Sequence, residues 1–293
     1  MARAQQFTSD LPPVSEPPTY GGRALSQGVL MVGPHSMAVA VRRDDGEIDT
    51  AVEAFHMPFT WARQIPFLRG MMAMGGAVIL AIRSNRLERR LGSKGSGDRL
   101  KMLKAALPIV AVSSAERILT RALIRKNVPG ARMEVFRLLM PFVAFRMSTV
   151  FGPSNELLQY HGAEHMAVNT VEAGRPLTAP NAAVQSRIHP RCGTTFAFWA
   201  LLLGWLAQKI PGLRGTIRSA LVGPLVIATA YEILKFGAAH KDDSWAQLVF
   251  TPAWQMQRLT TATPTTAQLE VACAALQAVL DFEGAAPGGS SAA

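Results

Sequence analysis

Two short segments hold the side chains best suited to chemistry: Tyr160-His161-Gly162-Ala163-Glu164-His165 and His189-Pro190-Arg191-Cys192-Gly193. Imidazole and thiolate are favoured zinc ligands, and a carboxylate beside them is a common general base. On a helix, His161 and His165 lie one turn apart on one face, with Glu164 beside that face. His189 and Cys192, three apart in sequence, can close on the same ion. The order H-x-x-E-H is that of an inverted zinc-protease motif, with two histidine ligands and a glutamate base. Two arrangements follow. If His161, His165, His189 and Cys192 all bind, the site is closed and structural. If only three bind, the two motif histidines with Cys192 or His189, water takes the fourth position and Glu164 can accept its proton. Both arrangements call for a divalent metal, zinc by donor type. Without one, these are hydrogen-bonded core histidines. Glu172 is a further candidate, as a ligand, as a partner to a ligand, or simply as a carboxylate on the helix surface.

The positioning elements can be read around these residues. Gly152-Pro153-Ser154 breaks the chain, and Ser154 suits the N-cap of a helix that starts at Asn155-Glu156 and ends near Ala173. Residues 175–191 then form the loop that returns His189. Directly after the site, Gly193 to Ala207 and Ser219 to Tyr231 are uncharged, separated by a short basic loop with Lys209, Arg214 and Arg218. Each run is shorter than the roughly 20 residues of a comfortable span, and flanking Lys209, Arg218 and Lys235 can snorkel to extend the reach. We read residues 194–236 as a two-helix membrane hairpin. Glu232, at the end of the second helix, is either functional or paired with Lys235.

Composition supports a membrane setting. Of 293 residues, 49% are apolar and 17% charged, well under the roughly 25% charged of an ordinary soluble domain. The formal net charge of +10 suits anionic lipid or nucleic acid equally. The basic stretch 83–104 contains no aromatic residue to stack on bases, which argues against nucleic acid. It follows the apolar run Ile65 to Ile82, broken only by Arg69, and so resembles the cytoplasmic exit of a membrane helix. Two cysteines, Cys192 and Cys273, make no disulfide framework.

The remaining organisation is as follows. Residues 1–19 read as a disordered leader without a signal peptide. Residues 20–60 form a small β-rich unit, with strands at Val29–Val32, Met37–Arg43 and Glu47–Glu53 and a turn at Asp44-Asp45-Gly46. Residues 61–150 carry apolar and basic amphipathic helices, with a flexible link at Ser93–Gly97. Residues 151–193 hold the metal motifs. Residues 237–283 form a soluble C-terminal region whose helix is capped at Thr263-Pro264 and turns Leu269, Ala272, Cys273, Leu276 and Leu280 to one face. Residues 284–293 are a disordered tail. The fold class is a mainly α-helical membrane protein, a helical hairpin plus amphipathic or interfacial helices, with a small β-rich N-terminal unit.

The motifs carry a resemblance. Tyr160-His-Gly-Ala-Glu-His165, Leu177-Thr178 with Asn181, and His189-Pro-Arg-Cys-Gly-Thr-Thr-Phe196 are similar to the YqhQ-like family of bacterial membrane proteins. The similarity extends over about residues 20–282. It includes Gly21-Gly22, Gly28-Val29, Gly33-Pro34, Arg69-Gly70, Tyr231-Glu232 and the stretch from Gln257 through Thr260-Thr261 to Leu269-Glu270-Val271-Ala272. It implies a metal-dependent enzyme in the bacterial inner (cytoplasmic) membrane, multi-pass, with no substrate named. Gln27, Val32 and Met166 depart from the family pattern, which usually has an acidic residue, a basic residue and lysine there.

The sequence therefore favours a metal-dependent membrane enzyme, hydrolytic by its motif, with Glu164 as base and His161, His165, His189 and Cys192 as metal ligands. The alternative is a non-enzymatic membrane scaffold or assembly factor with a structural metal. The expected partners are a bilayer with anionic headgroups and an unidentified substrate. Nucleic acid is not expected, and a homo-oligomer stays open.

Overall fold

A computed structural model describes residues 19–56, 60–91, 130–151, 155–210 and 216–285, with part of 111–123. The expected link at Ser93–Gly97 and the N-cap at Ser154 lie outside the described residues. The chain is mostly helical, with one small antiparallel sheet at its N-terminal side.

The sheet is a meander, β1 (Gly21–Ala24), β2 (Gly28–Val32), β3 (Ser36–Arg42) and β4 (Ile48–Ala54), in that order. Arg43 and Glu47 close the β3–β4 hairpin over Asp44-Asp45-Gly46, where Gly46 takes φ of 92°, a left-handed conformation that glycine adopts without strain. Strands β2 and β3 are apolar at almost every position because both faces of the sheet are covered. The period of two assigns the side chains. Val29, Met31, Ala38 and Ala40 face one core, whereas Leu30, Met37, Val39 and Val41 face another.

The first core is closed by α3 (Asn155–Glu172) and α8 (Thr266–Ala285), which contribute Tyr160, Ala163, Ala167, Leu269, Ala272 and Leu276. The face of α8 is the one expected from its spacing. Its start is not Thr263-Pro264, however. Thr265 and Gln268 exchange backbone and side-chain hydrogen bonds there, a capping box two residues further on. The second core is closed by the C-terminal end of α1 (Leu68–Arg90), through Leu87 and Leu80. Helix α1 thus continues past Ile82 and takes up Arg83, Arg86, Arg89 and Arg90, the first half of the basic stretch.

Helix α2 (Gly130–Phe151) and short α4 (Ala179–Ala183) precede the hairpin of α5 (Gly193–Ala207) and α6 (Thr216–Ala239). Of the two hairpin helices, only α6 is long and apolar enough to cross a membrane, over Val222–Ala239. Helix α5 has 15 residues, too few for the roughly 20 that a bilayer core requires. Among the described residues α6 is the one helix that meets this length and composition, so helix length there does not support the expected multi-pass arrangement. Helix α7 (Ser244–Gln255), not anticipated from sequence, follows α6 and leads through a turn of 3-10 helix at Met256–Leu259 back to the site.

Helices α1 and α6 cross closely at Gly70, where a Cβ would lie 2.8 Å from Cβ of Tyr231. Beside that crossing Glu232 accepts hydrogen bonds from Arg69 Nε (2.8 Å), from Arg69 Nη2 and from the Phe67 amide (2.9 Å). The ordinary partner expected for Glu232, Lys235, is therefore displaced by Arg69, 163 residues away in sequence. The same contact accounts for an arginine inside an apolar run. Replacing Arg69 by Met leaves a half-buried carboxylate without its main partner and should lower stability by about 1 kcal/mol. Adding Glu232→Leu should recover most of that loss in thermal unfolding of the purified protein. An undiminished loss in the double variant would assign the effect to packing rather than charge.

Candidate metal centre

Helix α3 is held on two sides. Gly162 faces the backbone of Ala262, whose carbonyl oxygen would lie 2.3 Å from a Cβ at residue 162. The Ala262 amide donates to the Leu158 carbonyl (2.8 Å). Ala163 and Ala167 pack into the core on the other side. The small residues in His-Gly-Ala-Glu-His are therefore dictated by close approach, and that approach sets where the histidines sit.

His161 Nδ1 lies 2.9 Å from the carbonyl of Thr260, and His165 Nδ1 lies 2.6 Å from the carbonyl of Arg187. A carbonyl can only accept, so both Nδ1 atoms carry the proton and donate. Each ring is thereby turned so that Nε2 faces the other side, as second-shell partners orient ligand histidines in metal sites. Cys192 Sγ stands 3.5 Å from His161 Nε2. Ligand atoms of His161, His165 and Cys192 all lie within 4.8 Å of one another. Cys192 also serves as the N-cap of α5, its sulfur accepting from the Thr194 amide. The start of the apolar helix thus anchors the thiol.

Burial by itself would lower the His165 pKa and raise that of Cys192. The neighbours outweigh it. For His165, the Glu164 carboxylate and the hydrogen bond to Cys192 push the imidazole up to about 9. For Cys192, the hydrogen bonds to His161 and His165 and their charge hold the thiol well below its usual range. His161 is raised in the same way, mainly by Cys192. Three donors of metal-binding type, two of them with fixed tautomers, fit a divalent ion of the zinc class.

His189 is not part of this cluster. Its ring nitrogen Nε2 faces Glu172 at 3.3 Å, and its amide and carbonyl are both bonded to the side chain of Gln257. Arg191 pairs with the same Glu172 carboxylate. Burial opposes ionisation of Glu172, but His189 and Arg191 together lower it to about 2. Glu172 is thus neither among the three donors nor shown bonded to one of them; it pairs with His189 and Arg191. Proximity in sequence misleads here: His189 and Cys192 sit on one turn, with the Cys192 amide bonded to the His189 carbonyl, yet the His189 ring is held by Glu172 whereas the Cys192 sulfur stands by His161.

Glu164 lies beside the three donors, 3.7 Å from His165 Nε2, and is 6% exposed. Gly22 of β1 comes within 2.9 Å of its Cγ, measured from a Cβ placed on the glycine. A cavity of about 430 Å³ opens at this point, bordered by His161, Glu164, Cys192 and Thr260. Several residues of the site went unrecognised as such in the sequence: the carbonyls of Thr260 and Arg187, the Thr194 hydroxyl bonded to that of Thr260, and fully buried Gln257. Backbone acceptors leave no signal in residue type. Gln257 and Thr260 stood in the motif-like C-terminal stretch without a role.

The geometry defines a chain with a buried His-His-Cys cluster between a small sheet and an apolar helical hairpin. Residues 65–282 match the family described as protein of unknown function (DUF1385), and the chain belongs to that family. It is similar to the uncharacterized protein YqhQ of Bacillus subtilis (strain 168), 30% identical over 302 residues that cover 91% of this chain and 94% of the relative. No solved structure matches the chain.

Two outcomes check this geometry. In purified protein, His161→Ala, His165→Ala and Cys192→Ala should each lower bound zinc at least about 10-fold, whereas His189→Asn should keep it within about 2-fold, as read by elemental analysis. After chelation, Cys192 should react with iodoacetamide at lower pH than an ordinary thiol, because the thiolate is the nucleophile and its hydrogen bonds to His161 and His165 lower its pKa. Cys273, raised by burial to about 11, should stay inert until strongly alkaline pH.

Proposed function

We propose that the protein is a metal-dependent hydrolase acting at a membrane surface. The observation that carries this reading is the set of three donors converging beside an open cavity, with a carboxylate next to them. A fourth imidazole or thiolate donor would favour a closed, structural metal, and the further imidazole expected there, His189, is engaged by Glu172. A divalent ion there would supply Lewis-acid polarisation of a carbonyl or phosphoryl oxygen and lower the pKa of a bound water toward about 7.

The chain's own residues have distinct roles in this reading. His161, His165 and Cys192 hold the ion. The carbonyls of Thr260 and Arg187 fix the two imidazoles in the tautomer that leaves Nε2 available. Glu164, at the cavity wall, accepts the proton of the attacking water and returns it to the leaving group. Its small exposure excludes bulk water, which strengthens its electrostatic effect.

The membrane part rests on surfaces. Only 17% of the window Val222–Ala239 is buried, the reverse of a core helix in a soluble domain. Large apolar side chains also face outward on α1, at Val78 and Ile82, and on α7, where Leu248 is 80% exposed. Such patches mark contact with lipid or protein. Arginines at the end of α1 suit anionic headgroups on the cytoplasmic side. In this arrangement α6 spans the bilayer, α7 lies in the interface with Trp245 outward, and the sheet with α3 and α8 stands in water.

Glu164→Gln tests the chemistry. The variant should retain bound zinc and lose about 100-fold or more of its turnover of activated carboxylic or phosphoric esters. Unchanged turnover, or unchanged complementation of a deletion strain, would remove the general base and leave a scaffold with a structural metal.

A further inference from the structure

Three elements border the cavity at the cluster, and the side chains they turn toward it limit what can enter. On α3, Leu157, His161 and Glu164 follow at i, i+4 and i+7 and share one stripe, with Leu158 a turn before His161. On β1, Gly22 pairs with Met31 of the first core, and Ala24 packs on that same core. Ala197 borders the cavity one turn into α5. Around the donors the wall is thus aliphatic, and its volume of about 430 Å³ is in the range of small-molecule sites.

Charge is the sharper limit. Arg23 is the one lysine or arginine bordering the cavity among the described residues. Side chains alternate along a strand, and Arg23 pairs with Leu30, which belongs to the second core. Its exposed side chain is therefore carried to the sheet face away from the cluster. The charged side chain left at the donors is the Glu164 carboxylate, 6% exposed. A divalent ion bound by two neutral imidazoles and the Cys192 thiolate would keep one net positive charge, and Glu164 offsets it. Sites for phosphoryl transfer place arginine, lysine or further metal ions around the phosphoryl oxygens. Here a phosphoryl anion would meet a carboxylate instead.

We propose that the site admits an uncharged carbonyl compound with a short aliphatic substituent, an ester or amide of an aliphatic acid, in preference to a phosphoryl anion. The inference rests on the hydrolase reading for turnover and names the class of substrate within it. For an ester, the water oxygen bonds to the carbonyl carbon and the bond to the alkoxy oxygen breaks. The proton that Glu164 takes from the water passes to that leaving oxygen, so the products are the acid and the alcohol.

Ligand binding tests this without reliance on turnover. Full-length protein in nanodiscs is loaded with cobalt(II), and the visible absorption of the ion is titrated with butyrohydroxamate, acetohydroxamate or butylphosphonate. The hydroxamates are uncharged carbonyl compounds in neutral solution, and the phosphonate is an anion with the same butyl carbon count. Butyrohydroxamate should bind about 10-fold or more tightly than butylphosphonate. Acetohydroxamate, shorter by two methylenes, should bind about 15-fold more weakly than butyrohydroxamate, at about 4-fold per buried methylene. In Glu164→Gln the gap between butyrohydroxamate and butylphosphonate should largely close. Ala197→Phe should weaken butyrohydroxamate more than acetohydroxamate, and the comparisons of head group and chain length in the unsubstituted protein hold whether or not that variant folds. A phosphonate that binds as tightly as the hydroxamate would overturn the proposal. So would a gap that survives Glu164→Gln, which would assign the preference to the probes' own affinity for the metal, or equal binding of the two hydroxamates. The hydrolase reading is checked separately with butyrate esters and the zinc-loaded protein. The expected preferences without turnover uphold the ligand class and remove the hydrolase, turnover without the preferences does the reverse, and protein that takes up no metal overturns both.

Discussion

The close approach of α3 to the backbone at Thr260–Ala262 is the constraint on which the site depends. Gly162 permits it, since any side chain there would enter the space of the Ala262 carbonyl. With the two backbones in contact, the Thr260 carbonyl reaches Nδ1 of His161 and fixes which nitrogen faces Cys192. The glycine inside the motif is therefore as much a part of the metal geometry as the histidines around it. A helix pushed outward by the width of a methyl group would lose the hydrogen bond that aims the ring, at the overpacking cost of about 1–3 kcal/mol.

A second layer holds the loop that supplies the other donors. Gln257, fully buried, bonds both the amide and the carbonyl of His189 and donates to Thr195, so one side chain ties the 3-10 turn, the returning loop and the first turn of α5. Glu172 gathers His189 and Arg191, and Arg191 reaches the carbonyl of Tyr20 ahead of β1. Asn169 donates to the carbonyls of Ser186 and Ile188. Buried polar groups stay buried only when their partners are present, so these residues act together. Their combined effect is to hold Arg187 and Cys192 at the positions from which one orients His165 and the other joins it.

The apolar hairpin meets this polar core at the N-terminus of α5. Cys192 caps that helix and belongs to the cluster at the same time. Any tilt of the hairpin relative to the sheet would therefore be felt at the thiol. Further along, the Arg69–Glu232 pair and the contact of Gly70 with Tyr231 lock α1 to α6, and α1 in turn packs Leu87 on the outer face of the sheet. The sheet, the hairpin and the cluster are thus mechanically joined by specific contacts. This is the arrangement expected where a chemical site must keep its register at an apolar surface.

Residue type and spacing carried a good deal. The β-rich character of residues 20–60, the turn at Asp44-Asp45-Gly46, the extent of α3 and the buried face of α8 are local properties, set by steric preference and by the period of each element. The pairing of His161 with His165 is local too, because one helical turn joins them. What lay outside the sequence is contact between distant segments. Cys192 rather than His189 completes the cluster because Glu172, on the same helix as the two histidines, holds the His189 ring while the Cys192 sulfur stands by His161. Glu232 pairs with Arg69 rather than its neighbour Lys235 because two helices cross at a glycine. The orienting acceptors for both histidines are backbone carbonyls, and a carbonyl is present at every residue. A sequence can offer the donors, but selecting among them requires the directions and distances that only the packed chain supplies.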